Sequence, residues 1–308
     1  MRRFLPLLDG SDEVGVLALT LAEVDDDDRR LLRRLAGLVA DMIVTKDSCT
    51  DQFFQARRSQ PMSLAAEIQL TLLRPLTMLT PQVALAGILE PAYDVAGDSF
   101  DYAINDNIVP LAVIDAMGHG LNAAILATLA ISVYRHARRA GVGLAELYGL
   151  MDAAVDQQFG PDQFVTAQIV RLDIAAGRLQ WVNAGHPAPL LIRGHRVIRA
   201  LEPGNPSCRH RRCRTHISYE QLSRGDRVLF FTDGVIEKHR PGREHFGQER
   251  FVSFAERADC AGGSVQEMVR ALSHALTRAR GGATTDDAIL FLMEWRGGSA
   301  DHLAVAAR

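Results

Sequence analysis

The chain has 308 residues, of which 47% are hydrophobic and 23% charged, and it carries a net charge of −3. That balance fits one large or two smaller globular domains whose core needs no disulfide staples. It argues against bulk nucleic-acid affinity, so no nucleic-acid partner is expected. Arginine supplies nearly all the basic residues, Lys46 and Lys238 being the only lysines, which reads as base-composition bias more than as a binding signal. Cys49, Cys208, Cys213 and Cys260 are sparse and irregularly spaced, as in a reducing compartment. Arg2 and Arg3 are not followed by an apolar core long enough for a signal peptide, and no later apolar run reaches the length of a membrane span. A cytoplasmic protein with no membrane partner is expected.

Residues 14–21 read as a buried strand. Asp25 to Asp28 then precede a helical pattern over 26–43, with Leu31, Leu32, Leu35, Leu38, Val39, Met42 and Ile43 on one face. A calcium loop would need EF-hand spacing, which does not follow, so the acids are assigned to a helix N-terminus. Residues 45–61 are polar and read as a connector. Helical periodicity returns over 62–79 through Leu64, Ile68 and Leu72 until Pro75 disrupts it. An amphipathic helix placed there suggests a packed linker or a dimer seam.

From about residue 83 the texture changes. Strand-like runs fall at 83–88, 109–114, 164–172, 178–183, 188–192, 228–232 and 288–293, and helical patterns at 120–139, 144–158, 247–258 and 264–279. Antiparallel-looking blocks of strands with paired helices argue for an α+β fold with helices packed on sheets. The last dozen residues read as a loose tail.

Four aspartates stand at the ends of apolar runs, each beside a glycine-rich or acidic turn: Asp98, Asp115, Asp233 and Asp286. Carboxylates gathered at strand ends suit hard cations such as magnesium or manganese, and a two-metal site activates water for in-line attack on phosphorus. Each aspartate also has a plainer reading, as a helix cap at Asp115 or an Asp-Gly turn at Asp233. Asp286 and Asp287 are adjacent and repel unless something positive neutralises them.

From about 62 to 295 the chain strongly resembles the bacterial stage II sporulation protein E-like branch of the PPM (type 2C) serine/threonine phosphatases. The resemblance is carried by Ala65-Ala66-Glu67-Ile68-Gln69, Glu90 to Asp98, Asp115-Ala116-Met117-Gly118-His119-Gly120, Asn183-Ala184-Gly185-His186-Pro187, Gly225-Asp226, Thr232 to Glu237, Phe246-Gly247 and Asp286-Asp287, in family order and spacing. It implies a four-layer α-β-β-α sandwich with two manganese or magnesium ions between the sheets. On that resemblance Asp115 bridges both ions with help from the Ala116 carbonyl, Asp98 binds metal directly or through water, and Asp233 and Asp286 hold the other ion. Water activated there would attack a phosphoserine or phosphothreonine. Ala96-Gly97 replaces the family's usual glycine pair. His119, four residues after Asp115, is the candidate general acid, with a turn residue at the helix start as its alternative. His186 is assigned to organising its loop near the site, with a catalytic role as its alternative. The run Cys208 to Cys213 with His216 lacks finger spacing for zinc and reads as a variable basic loop. The front end resembles the last strand and last helix of a GAF sensory domain, through Gly15-Val16-Leu17-Ala18-Leu19 and the helix that follows.

These readings divide the chain into a partial GAF-like remnant (1–47), a linker with a signalling helix (48–80), a PPM-type phosphatase domain (81–296) and a flexible tail (297–308). The expected function is a metal-dependent protein serine/threonine phosphatase acting on a phosphorylated anti-sigma-factor antagonist, in a homodimer joined by residues before about 80. A weak or inactive PPM-fold interaction module in the same pathway competes with it, as does a sensor or scaffold acting through the front end.

Overall fold

Two antiparallel strands, β1 (Arg2–Asp9) and β2 (Asp12–Thr20), begin the chain in this computed structural model. The structure describes residues 2–9, 12–21, 25–47, 62–90, 97–202, 215–235, 248–260, 263–280 and 287–298. Helix α1 (Asp26–Asp47) follows the hairpin. Its aspartates form a reciprocal cap: the Asp28 amide donates to Asp25 Oδ1 at 2.7 Å and the Asp25 amide to Asp28 Oδ2 at 3.2 Å. The acids therefore serve the helix N-terminus. Ala36 and Ala40 bury against Leu7 and Val14 of the hairpin, with Val39 and Ile43 at the margin. The opposite stripe of α1 remains on the surface, with Leu31, Leu38 and Met42 each more than 60% exposed. The strand β1 was not legible in the sequence.

The chain divides into two compact units, Met1–Met62 and Ser63–Arg308. The second opens with helix α2 (Leu64–Leu72), started by Ser63, whose hydroxyl accepts from the Ala66 amide at 3.2 Å. The helical pattern stops before Pro75, and Thr77–Leu79 is a strand, β3, where helix had been expected. After it come β4 (Val83–Glu90), β5 (Asp98–Tyr102), β6 (Ile108–Ala116), helices α3 (Gly120–Arg139) and α4 (Leu144–Phe159), β7 (Val165–Asp173), β8 (Arg178–Ala184), β9 (Leu190–Arg193) and β10 (Arg196–Ala200). The unit continues with β11 (Ser218–Gln221), β12 (Arg227–Phe231), helices α5 (Gln248–Cys260) and α6 (Val265–Arg280), and β13 (Ala288–Trp295).

The strands form a six-stranded sheet, β10-β9-β12-β13-β4-β3, and a five-stranded sheet, β11-β8-β7-β6-β5. Alternation along the strands assigns their faces. In β13, Ile289, Phe291 and Met293 point into the core between the sheets, whereas Ala288, Leu290 and Leu292 face α5 and α6. In β6, Val109, Leu111 and Val113 enter the same central core, and Ala112 and Ile114 face α3 and α4. Both sheets are covered on their outer faces, so β6 and β13 read as continuous apolar runs. The result is the expected four-layer α-β-β-α sandwich. No helix among the described residues is long and apolar enough to cross a membrane.

A buried charge cluster ties α2, β5 and α3 together. The Asp101 carboxylate, wholly buried on β5, is paired with Arg74, Arg135 and Arg138. Arg135 also donates to the Leu72 carbonyl at the end of α2, at 2.5 Å. One carboxylate among three guanidinium groups satisfies the rule that a buried charge needs partners.

Candidate active site

β5 and β6 pair in a register that sets Asp98 directly opposite Asp115. The strand β6 runs on through Asp115 to Ala116, so both candidate ligands lie in the ladder's last pairs. The Ala116 amide donates to the Gly97 carbonyl at 3.2 Å. A Cβ at Gly97 would stand 2.8 Å from the Ala116 carbonyl oxygen, so glycine is required for this close approach. The loss of the family's preceding glycine at Ala96 falls outside the described residues.

Beyond Ala116 the chain turns through Gly118 and Gly120, both in the left-handed region at φ 93° and 70°. His119 between them is exposed at the start of α3 and makes no capping hydrogen bond with its side chain. It stands at the mouth of the turn, four residues from Asp115.

Asp233 opens a short 3-10 turn, Asp233–Val235, directly after β12. A Cβ at Gly234 would fall 2.0 Å from the Asp287 carbonyl oxygen. The Thr-Asp-Gly turn is thereby pressed onto the segment that carries the acid pair. Asp286 lies outside the described residues. Its neighbour Asp287 is buried, and its Oδ2 accepts from the Gln69 amide at 2.5 Å and from the Gly97 backbone at 3.3 Å. Gln69 also donates to the Asp98 carbonyl at 2.8 Å.

Asp115, Asp287 and Asp233 all lie near enough to act on the Asp98 carboxyl. Burial holds the Asp98 carboxyl well above the usual carboxylate range, Asp115 adds to the shift, and Asp287 and Asp233 contribute further. A hydrogen bond from Thr232 opposes it. Asp98 Oδ2 remains buried without a hydrogen-bond partner. Such an oxygen, among carboxylates that repel it, suits a hard cation, which would remove both penalties. Among the described residues no three acids, histidines or cysteines close a complete ligand set by themselves, and the fourth acid of the expected set lies outside them. The all-oxygen donor chemistry fits magnesium or manganese better than a thiophilic ion.

His186 is buried on the turn that follows β8. Its Nδ1 lies 2.8 Å from the Thr166 hydroxyl, and Thr166 is the register partner of Asp115 on β7. Asn183 fixes the turn by accepting from the His186 amide at 2.8 Å and donating to its carbonyl at 2.9 Å. The basic segment 208–214 and its cysteines lie outside the described residues.

Gln69 had no role from sequence reasoning, although it belongs to one of the matching segments. Its signal was a polar residue buried among Ala65, Ala66 and Ile68 of a short amphipathic helix, a position that demands hydrogen-bond partners.

The family model for stage II sporulation protein E (SpoIIE) matches residues 105–296. The chain belongs to the SpoIIE family. The match contains Asp115, Ala116, His119, Asp233 and Asp286 and begins just after Asp98. Among curated SpoIIE-like relatives, the phosphoserine phosphatase RsbP of Bacillus subtilis is 24% identical over 192 residues, covering 60% of this chain and 47% of that protein. The phosphoserine phosphatase RsbU of the same organism is 21% identical over 241 residues, covering 75% and 69%. The chain thus spans about half the length of RsbP and about two thirds of RsbU. Among solved structures, the RsbU and RsbW domains of a Mycobacterium tuberculosis protein superpose with a TM-score of 0.62 at 28% identity, over 73% of this chain and 63% of that one. The PP2C phosphatase domain of Bacillus subtilis SpoIIE, with a fragment of its regulatory domain, gives 0.59 at 16% identity over 71% and 65%, a likeness of fold. The fold is that of the PP2C/PPM phosphatases.

Proposed function

We propose that this SpoIIE-family chain is a protein serine/threonine phosphatase that uses two manganese or magnesium ions held by Asp98, Asp115, the Ala116 carbonyl, Asp233 and Asp286. The observation that carries the reading is the opposed pair Asp98 and Asp115, with a buried, unpartnered carboxylate oxygen directed among like charges. Bound divalent ions would supply Lewis acidity and polarise a water for in-line attack on phosphorus. The protein's own groups do the rest. Thr232 orients the Asp98 carboxylate. Gln69 and the Gly97 amide occupy Asp287, which leaves its neighbour Asp286 as the ligand of the pair. His119, exposed beside the turn, would deliver a proton to the departing serine or threonine oxygen.

The substrate is a phosphorylated anti-sigma-factor antagonist, in keeping with the family resemblance and with relatives named phosphoserine phosphatases. The protein acts in the cytoplasm, its front unit serving as a sensory remnant of GAF type. It works as a homodimer: Leu31, Leu35, Leu38 and Met42 form an exposed stripe on α1 with the four-three-four spacing of a helix-pairing seam.

Asp115→Asn and Asp233→Asn should each abolish manganese-dependent hydrolysis of p-nitrophenyl phosphate and of the phosphorylated antagonist, with the circular-dichroism spectrum unchanged. Near-wild-type turnover by either folded variant would overturn the assignment.

A further inference from the structure

The turn after β8 holds a residue that the proposed reaction does not use. Gly185, at φ 74°, bends the chain and forms an isolated parallel bridge with Ala167 of β7. Gln168 donates to the Pro187 carbonyl at 3.0 Å, and Asn183 closes the turn from the other side. The backbone of His186 is thus fixed on both flanks, and its imidazole is buried, 5% exposed.

The ring links the two sheets. One end meets the Thr166 hydroxyl on β7, in register with Asp115. The ring also faces the backbone carbonyl of Phe231, the last residue of β12, two residues before Asp233. Nε2 closes no hydrogen bond of regular geometry. A carbonyl can only accept, so a neutral imidazole serves both neighbours in one tautomer: Nε2 carries the proton toward Phe231, and Nδ1 accepts from Thr166. Burial keeps the ring neutral, its pKa lowered to about 3.

We propose that His186 is a positioning residue that sets the separation of the strand ends carrying Asp115 and Asp233, and thereby the affinity of the metal pair. The proposal rests on the reading of those acids as metal ligands. A rigid ring with a polar atom toward each sheet acts as a spacer of fixed length. Metal centres are sensitive to the groups that orient their ligands: loss of a group bonded directly to a ligand typically weakens binding by roughly 10–100-fold, and His186 acts one residue further out, through Thr166 and Phe231.

The test is calorimetric titration of the full chain with Mn²⁺ alone, well below the melting temperature. His186→Ala should weaken binding by at least several-fold and at most about 10-fold, below the loss typical of a group bonded directly to a ligand. His186→Gln, which keeps a donor near the Nε2 position, should recover part of that loss. Thr166→Val removes only the hydroxyl at almost constant shape and should weaken binding in the same direction. The double variant should be no weaker than His186→Ala, because both changes break one link. A His186 acting only in stability would lower the melting temperature and leave Mn²⁺ affinity unmoved. If His186→Ala does not fold, Thr166→Val decides. A folded Thr166→Val or His186→Ala chain that binds Mn²⁺ within twofold of wild type overturns the proposal. A wild-type chain that binds no Mn²⁺ overturns the metal reading itself, and this proposal with it.

Discussion

Burial lowers the His186 pKa from 6.5 to about 3, and this has a consequence for stability. The folded protein disfavours the imidazolium, while the unfolded chain accepts the proton near pH 6.5. The stabilisation is therefore complete above the unfolded value and is lost as pH falls from 6.5 toward 3. Each pH unit in that window is worth about 1.4 kcal/mol, so roughly 2 kcal/mol is lost by pH 5. Denaturant titrations at pH 7 and pH 5 should show wild type losing about 2 kcal/mol more than His186→Gln. Equal losses would contradict a neutral buried ring. At this scale the sequence was informative where chemistry and turn geometry coincide. Asp98, Asp115 and Asp233 each end an apolar run beside glycine, and the structure brings them together. Sequence reasoning gave Asp287 no role of its own, because its Gln69 and Gly97 hydrogen bonds appear only in the fold. Those partners lie some two hundred positions away in the chain, and no local pattern encodes them.

Helix α2 shows what an element can do that a motif cannot reveal. Its small residues Ala65 and Ala66 allow close approach to α3 at Ala124, and Gln69 then reaches both Asp98 and Asp287. Gln69→Ala should remove the 2.5 Å bond to the buried Asp287 Oδ2 and keep the longer one from Gly97. The cost expected is about 1–3 kcal/mol of stability. Metal-dependent turnover should fall as well, because the Asp98 backbone loses a tether. Chemical denaturation beside a phosphatase assay checks both, and a variant with unchanged stability would refute this role. The long elements were legible because their periodicity is strong: helices at 120–139 and 144–158 and the apolar runs of β6, β12 and β13 lie where the pattern put them. The strands β3, β5, β10 and β11 were not. β5 is Asp-Ser-Phe-Asp-Tyr, polar in composition yet buried at every position, since Arg74, Arg135 and Arg138 neutralise Asp101. β10 and β11 are edge strands with exposed, arginine-bearing or polar faces and carry little hydrophobic signal. β3 was hidden by the helical pattern running into Pro75.

At the scale of the whole molecule, the exposed stripe of α1 predicts assembly. Burying a leucine or methionine side chain is worth about 1.5–3 kcal/mol, and two copies of a four-residue stripe supply several such side chains. Light scattering should give twice the chain mass at micromolar concentration, and Leu31→Glu with Leu38→Glu should halve it without unfolding the protein. A monomeric wild type under those conditions removes the dimer. The order of strands in the larger sheet has a different consequence, one for synthesis. β13, the last strand among the described residues, is inserted between β12 and β4, pairing Ala288 with Glu90 and Phe231 with Leu290. The Ile289 amide donates to the Thr232 hydroxyl at 2.9 Å, so the residue that orients Asp98 is itself set by that strand. At translation speeds of about 5–20 residues per second, the roughly 200 residues between β4 and β13 take about 10–40 s to emerge. For most of that interval a nascent chain carries Asp98 and Asp115 but has no closed sheet to hold them against Asp233. A copy that lacks β13 therefore lacks the strand that joins β12 to β4, and the acids at the two sheet ends cannot be held together until that segment has been made.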